Sequence, residues 1–242
     1  MTDTETRHTV HRFDKELNEI AELVDQMGVI AVQQLRRAVK ALKKEDPARA
    51  HKVIRRDRKL NDLDIEVDEK VIQLIARRAP VAKDLRQIIA VAKVVTDLER
   101  TGDEARKIAA LCVRFHESDH HVPSDNILRD IYSMSKYVSV MLEIAMQAFS
   151  SLDNEKAFSV LLMDEELEFQ FDSMLRHLST YVMEDSRNVG HFVDIVLGIR
   201  ALERFGGHAK NIAGHVIFLA TAKDVRHLDA DEIRQLLDLQ EA

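Results

Sequence analysis

The apolar residues of the chain follow a helical period almost from end to end, and this periodicity constrains the fold more than any other feature. In the first 45 residues they recur every three or four positions, as on the buried face of a long amphipathic helix. The members of this stripe are Phe13, Leu17, Ile20, Val24, Met27, Ala31, Leu35, Ala38 and Leu42. The 242 residues include only 7 Gly and 3 Pro, where average usage of about 12 per cent would give roughly 29. Such a chain has too few turn residues for a β-sandwich or barrel, and we predict an all-α fold.

Turn residues divide the remaining sequence into further helices. The apolar pattern predicts them over 53–74, 84–115, 124–152, 155–184 and 188–222, with a short helix from Asp229. Pro47 begins the second helix and Pro80 follows its end. Because the connections are short, successive helices must be antiparallel.

An internal repeat relates the two halves of the chain. Residues 98–109 align without a gap on residues 202–213, at an offset of 104, and Gly102 and Gly206 occupy the same repeat position. A Gly inside a helix costs about 1 kcal/mol relative to Ala, so its presence at both positions indicates a close backbone approach or room for a ligand. We therefore predict two pseudo-symmetric three-helix bundles of long antiparallel helices, over residues 1–117 and 126–242, joined by a linker at 118–125.

Charge is distributed unevenly between the halves. The net charge is −7; residues 1–121 carry 24 Lys and Arg against 22 Asp and Glu, and residues 122–242 carry 11 against 20. Between Arg36 and Lys59 eleven basic residues face three acids. This stretch has neither aromatic residues nor a docking motif for nucleic acid, so we expect no nucleic-acid partner. It is either a solvated face or a surface that meets an acidic protein.

The composition also bears on the compartment. A single Cys, Cys112, excludes a disulfide framework and a Cys-based zinc site. The sequence has neither a secretory signal nor an apolar run of about 18 residues. We expect a cytoplasmic protein that reaches a membrane only indirectly, through its partners.

Several acidic and amide side chains occupy positions on the apolar helix faces, where hydrocarbon side chains would be expected. Two antiparallel helices bring residues to one height when their numbers sum to a constant. For the two helices joined at Pro80 this sum is about 160, and for the two helices joined between 185 and 186 it is 371. Each bundle is therefore predicted to bring its oxygen ligands together at one height. Such an arrangement suits a hard cation such as magnesium, manganese or iron. The predicted metal ligands are Glu99, Asp103, Asp57 and Asn61 in the first bundle and Glu203, Asp164 and Glu168 in the second.

Other interpretations of these acids stay open. Acids beside a helical stripe commonly pair with basic neighbours, here Arg100, Arg106 and Arg204, which would make the chain a purely structural helical scaffold. A carboxylate-bridged metalloenzyme of the ferritin-like kind needs Glu-x-x-His on inward helix faces, and both occurrences lie in polar segments at 5–8 and 117–120. No nucleophile elbow or phosphate-binding Gly loop is present. His208 adjoins Gly207, the repeat position that lacks an acid, and could supply a substitute ligand.

Taken together, several linked stretches resemble the PhoU family of phosphate-specific transport regulators over nearly the whole chain. These stretches are 26–28, 33–35, 75–80, 84–86, 98–103, 181–187 and 202–206. The resemblance implies two three-helix bundles and clusters of metal ions, such as iron or zinc, held by Glu/Asp-x-x-x-Asp motifs. Glu99 and Asp103 match that motif, whereas Gly207 replaces the acid expected after Glu203.

The resemblance also implies a role. Proteins of this family are regulators and not enzymes: they couple the phosphate ABC transporter to the sensor histidine kinase of the phosphate response and keep it off when phosphate is plentiful. They contact the transporter ATPase subunit and the kinase, and usually form homodimers. We expect the same function, with divalent or ferric ions (iron, zinc, manganese or magnesium), as a negative regulator of phosphate signalling and uptake.

Overall fold

The computed structural model describes residues 3–117, 124–184 and 189–238. Within these ranges the chain is helical, without a β-strand, which confirms the predicted all-α class. The helices are α1 Asp3–Lys43, α2 Pro47–Arg56, α3 Arg58–Arg78, α4 Ala82–Glu117, α5 Asp125–Ser151, α6 Asn154–Glu184, α7 Val189–Thr221 and α8 Ala230–Leu236. The predicted linker falls largely on 118–123, outside the described residues. None of the described helices is long and apolar enough to cross a membrane.

The predicted second helix is divided in two at Asp57. The Leu60 amide donates to the Asp57 carbonyl at 2.9 Å, a tighter i to i+3 bond than the α-helix uses. Asp57 itself keeps right-handed helical angles, φ −54° and ψ −38°, so the chain continues in much the same direction. The apolar pattern could not reveal this break, because Val53 and Leu60 are seven residues apart and both face the core.

The helices form two three-helix bundles. Helices α1 to α4 pack together, with α2 and α3 on the outer flank, and α5, α6 and α7 form the second bundle, with α6 on its outer flank. The bundles meet along α4 with α7 and α1 with α5. Beyond α7, Val225 and Ile233 are buried, and α8 contacts α6.

The repeat extends to the turns before the two outer helices. Asp46 caps α2 by accepting the Arg49 amide at 2.9 Å, and Asp153 accepts the Lys156 amide before α6 at 3.0 Å. Just before each cap lies a residue in the left-handed region, Glu45 (φ 50°) and Leu152 (φ 53°). Both pairs are 107 positions apart. The outer helices therefore repeat at an offset of 107 and the inner pair, α4 and α7, at 104.

Gly102 and Gly206 mark the closest helix contact in each bundle. A Cβ atom at Gly102 would lie 2.5 Å from Leu60 Cδ1. At Gly206 it would come closer still to Leu167 Cδ2 and would lie 3.2 Å from Val138 Cγ1. Leu60 and Leu167 are repeat-equivalent and fully buried. The two glycines therefore serve close helix packing.

We expect Gly206→Ala to destabilise the protein, because Leu167 is enclosed and must shift, at a typical overpacking cost of about 1–3 kcal/mol. Gly207→Ala is the matched control: a Cβ there meets nothing within 4 Å, and the helix propensity of Ala should stabilise by about 0.5–1 kcal/mol. Urea unfolding followed by circular dichroism measures both. Equal effects of the two substitutions would contradict this account of Gly206.

Candidate functional site

Asp57, between α2 and α3, is a buried acid of the first bundle. It is only 6% exposed. Its Oδ1 accepts from Gln34 Nε2 at 2.8 Å, and its Oδ2 lies 3.0 Å from Arg106 Nε. Burial raises the pKa of Asp57, and the nearby charge of Asp103 adds to the rise. Arg106 therefore supplies the opposite charge that a buried carboxylate requires.

Arg106 also joins Asp57 to Asp103 on α4. Its Nη2 lies 2.8 Å from Asp103 Oδ1, so one guanidinium contacts both carboxylates. The two acids thus face each other at one height, as the antiparallel register predicts. What lies between them is a cation of the protein itself.

Glu99 and Asn61 differ in their surroundings. Burial, and then the charge of Asp103, raise the pKa of Glu99; its Oε2 lies 3.6 Å from Arg100 Nε. Asn61 is exposed. Asp64, which the sequence prediction omitted, adds to the rise at Glu99, and its own pKa is raised by burial. Asp64 stands seven residues, two helical turns, after Asp57 and so returns to the same face, a spacing that could have identified it.

The second bundle repeats the buried acid and its cation. Asp164 on α6 is 6% exposed, and Lys210 Nζ lies 2.6 Å from its Oδ2. Asp164 follows Asp57 by 107 positions and Lys210 follows Arg106 by 104, so these residues are repeat-equivalent. The fold therefore uses the same acid–cation pair twice.

The predicted ligands of the second bundle also include Glu203 and Glu168, and Gly207 occupies the position where an acid was expected. Burial raises the pKa of Glu203, and its Oε2 is buried without a hydrogen bond, although Arg200 Nε lies 3.4 Å away. Glu168 is exposed. Asp164, Glu203 and Gly207 line a cleft of about 770 Å³ between α4, α6, α7 and the segment before α8.

These residues can be tested for their fit to a metal ion. Carboxylates are the right donors for a hard cation, but Arg106 and Lys210 already contact Asp57, Asp103 and Asp164. Among the described residues, no group of three or more His, Cys, Asp and Glu is arranged to hold a metal ion. A metal ion at these carboxylates would have to displace Arg106 or Lys210, and the metal site stays a prediction.

A polar cluster that the sequence prediction missed joins the two bundles. Asp97 on α4 accepts from His208 Nδ1 at 2.9 Å, Asn211 Nδ2 at 3.0 Å and His215 Nε2 at 3.1 Å, all on α7. Burial alone would raise the pKa of Asp97, but the hydrogen bonds from His208, His215 and Asn211 lower it to about 2. His208, which the sequence left open as a substitute metal ligand, donates a hydrogen bond to Asp97. The signal was a row of polar residues at 208, 211 and 215, a spacing that places all three on one face of α7.

Comparisons with known proteins give one consistent result. The PhoU domain model matches residues 24–112 and 131–216. The chain is 35% identical over 233 residues to the phosphate-specific transport system accessory protein PhoU homolog of Pseudomonas aeruginosa, covering 96% of this chain and 95% of that protein. It is 31% identical over 231 residues to the accessory protein PhoU of Escherichia coli, covering 96% and 94%.

Solved structures agree on the fold. The crystal structure of PhoU from Pseudomonas aeruginosa is similar with a TM-score of 0.82 at 35% identity, covering 87% of this chain and 100% of that one. A PhoU phosphate transport system regulatory protein from Streptococcus pneumoniae has a TM-score of 0.79 at 24% identity, covering 88% and 99%, and at that identity shows the fold alone.

We expect Asp97→Asn to destabilise the protein at neutral pH. The pKa of Asp97 is about 2 in the folded state and about 3.9 unfolded, so its stabilisation is present above pH 4 and is lost as the pH falls toward 2. The corresponding loss is about 2 kcal/mol, measured by urea unfolding between pH 7 and pH 2. Asp130→Asn is the control, because Asp130 pairs with His177 at 3.0 Å on the exposed surface and should contribute about 0–1 kcal/mol. A loss at Asp97 that is independent of pH would contradict the assignment.

Proposed function

Because the chain belongs to the PhoU family, we propose that it is an accessory and regulatory protein of a phosphate-specific transport system. The observation that carries the proposal is the match of the PhoU domain to both bundles, 24–112 and 131–216. Relatives matched over nearly their full length are named as accessory proteins of that system. The similarity therefore covers both bundles.

In the finer form of the proposal the protein is a negative regulator of phosphate signalling and uptake. It acts as a cytoplasmic adaptor, and as a homodimer, that couples the phosphate ABC transporter to the sensor histidine kinase. Its described surface offers long helices with large exposed apolar side chains, among them Leu162 and Phe169 on α6. Exposed apolar side chains of this size favour contact with other proteins.

An enzymatic role has less support. The relatives are named for accessory or regulatory roles. A carboxylate-bridged metalloenzyme needs carboxylates with open coordination positions, whereas Asp57, Asp103 and Asp164 face Arg106 and Lys210. A purely structural scaffold would use the same ion pairs, so only a functional assay separates it from the adaptor.

We further propose that metal ions compete with the protein's own cations for these carboxylates. A divalent or ferric ion at Asp57, Glu99 and Asp103 would have to replace the Arg106 guanidinium, and one at Asp164, Glu168 and Glu203 would have to replace the Lys210 ammonium. Burial raises the pKa of both Glu99 and Glu203, and the nearby charges of Asp103 and Asp164 add to the rise, so an additional cation beside either acid would be favoured. The protein's own cations therefore set how tightly any ion is held.

The regulatory role is tested by deleting the gene. We expect phosphate-starvation genes to become active at high phosphate, and a plasmid copy of the gene to silence them again. In the same cells the protein should copurify with the transporter ATPase and the histidine kinase. A deletion that leaves the starvation genes silent at high phosphate would refute negative regulation and favour the scaffold interpretation.

The competition for the carboxylates is tested with Arg106→Gln. Removing the guanidinium should raise the affinity for Mn²⁺ about tenfold or more, since it frees two carboxylates that face each other. Isothermal titration measures this. Lys107→Gln is the control, because Lys107 pairs with Glu104 at 2.7 Å one residue further along α4. Unchanged Mn²⁺ binding in Arg106→Gln would show that Arg106 does not limit a metal site.

A further inference from the structure

The outer flank of the first bundle carries a stripe of four exposed cations. Lys52, Arg55, Arg56 and Lys59 are exposed on α2 and the start of α3, at the spacing that places residues on one helix face. None of the four has an ion pair or side-chain hydrogen bond with any residue that the structure describes. Four like charges on one face repel one another. We name these four residues the basic face.

The internal repeat shows that the fold does not require this charge. The equivalent positions on α6, 107 residues later, are Ser159, Leu162, Met163 and Glu166. Both outer helices nevertheless have the same capping residue and the same buried acid, and Leu60 and Leu167 make the same close contact with a glycine. The fold therefore does not depend on the basic face, because the second bundle forms without the corresponding charges.

The outer flank of the second bundle has different chemistry. Phe169, 64% exposed, and the partly exposed Leu162 lie one above the other on α6. Glu165, Glu166 and Asp172 surround them at helical spacing, exposed and without an ion pair in the described part of the chain. An exposed aromatic side chain within a charged rim is the usual form of an anchor at a protein interface. We name these five residues the acidic face.

We propose that these two faces dock two different proteins at once: the basic face binds an acidic protein surface, and the acidic face binds an apolar socket with a basic rim. The inference rests on the adaptor role proposed above and assigns its two partner surfaces. Because α2 and α3 lie beside α1 and α4, and α6 lies beside α5 and α7, the faces stand on opposite flanks. Two partners could then bind without colliding.

Charge complementarity and the surroundings of the basic face favour a protein occupant. A helix that docks on a membrane needs apolar residues free to insert, but Ala50 and Val53 of α2 are buried in the bundle. Binding of single-stranded nucleic acid needs aromatic side chains for stacking, and α2 has none. Pairing of the basic face with the acidic face of another copy would be heterologous and, with the faces on opposite flanks, would tend to propagate into open filaments.

The test measures binding of the purified full-length chain to the purified transporter ATPase subunit and, separately, to the cytoplasmic part of the histidine kinase. Arg55→Glu/Arg56→Glu changes the basic face, and Phe169→Ala with Glu165→Lys changes the acidic face. Each variant should weaken one partner about tenfold or more, as expected for hot-spot and charge-reversal changes, and leave the other partner unchanged. Binding of the partner at the basic face should also weaken as salt rises.

Matched controls keep the result specific. Arg77→Glu/Lys83→Glu makes the same charge change at exposed positions at the other end of the first bundle. Ile72→Ala removes another exposed apolar side chain, on the opposite flank. Both controls should bind both partners as wild type does. Circular dichroism unfolding confirms that the variants fold, as expected for changes at exposed positions.

The outcomes separate this inference from the function on which it rests. If wild type binds neither partner, the adaptor role fails. If wild type binds both but the face variants bind equally well, or if both variants lose the same partner, the two-face assignment is wrong. The assignment is also overturned if the basic-face variant loses binding only to anionic vesicles. It is overturned as well if the wild type associates with itself through these faces and the two variants associate with each other through the face that each retains.

Discussion

A carboxylate buried in a helical bundle must be compensated, and the rest of this structure is arranged around how that is done. Asp57 and Asp164 are each nearly enclosed and each lie beside one cation from the facing inner helix, Arg106 or Lys210. Leaving a buried charge without its partner typically costs about 3–5 kcal/mol. The acid and its cation are therefore coupled, which explains why both occur at equivalent positions although the side chains differ in length and shape.

The two bundles have the same backbone structure but differ in several side chains. Their caps, their left-handed turns and the contacts of Gly102 and Gly206 repeat closely. The residues at other equivalent positions have changed: Asp103 corresponds to Gly207, and Glu104 to His208. The second change supplies an imidazole to Asp97, and thereby a contact between the bundles. Divergence within the repeat has thus converted two similar units into one chain whose halves are not interchangeable.

Much of the fold could be predicted from sequence because the controlling signals are local. Asp46 with Pro47 places the start of α2 within one residue, and the antiparallel register correctly brings Asp57 level with Asp103. The sequence left open whether the carboxylates meet a metal ion or a basic neighbour such as Arg106, because the spacing along one helix does not show that the long side chain of Arg106 reaches across to Asp57. The Asp97 cluster was missed for a different reason: its geometry depends on how two bundles dock, and no periodicity within one helix encodes that.

The difference between the inner helices and the outer flanks explains where functional residues can vary. The inner helices α4 and α7 carry the close glycine contacts and the cations that compensate buried acids, so substitutions there disturb packing or leave a charge unpaired. Exposed positions on α2, α3 and α6 are free of those constraints, since surface substitutions typically change stability by about 0.5 kcal/mol or less. Charge and apolar area can therefore accumulate on the flanks at little cost to the stability of the fold. A chain built this way can present different surfaces on equivalent helices, which is what a protein that joins two unlike partners requires.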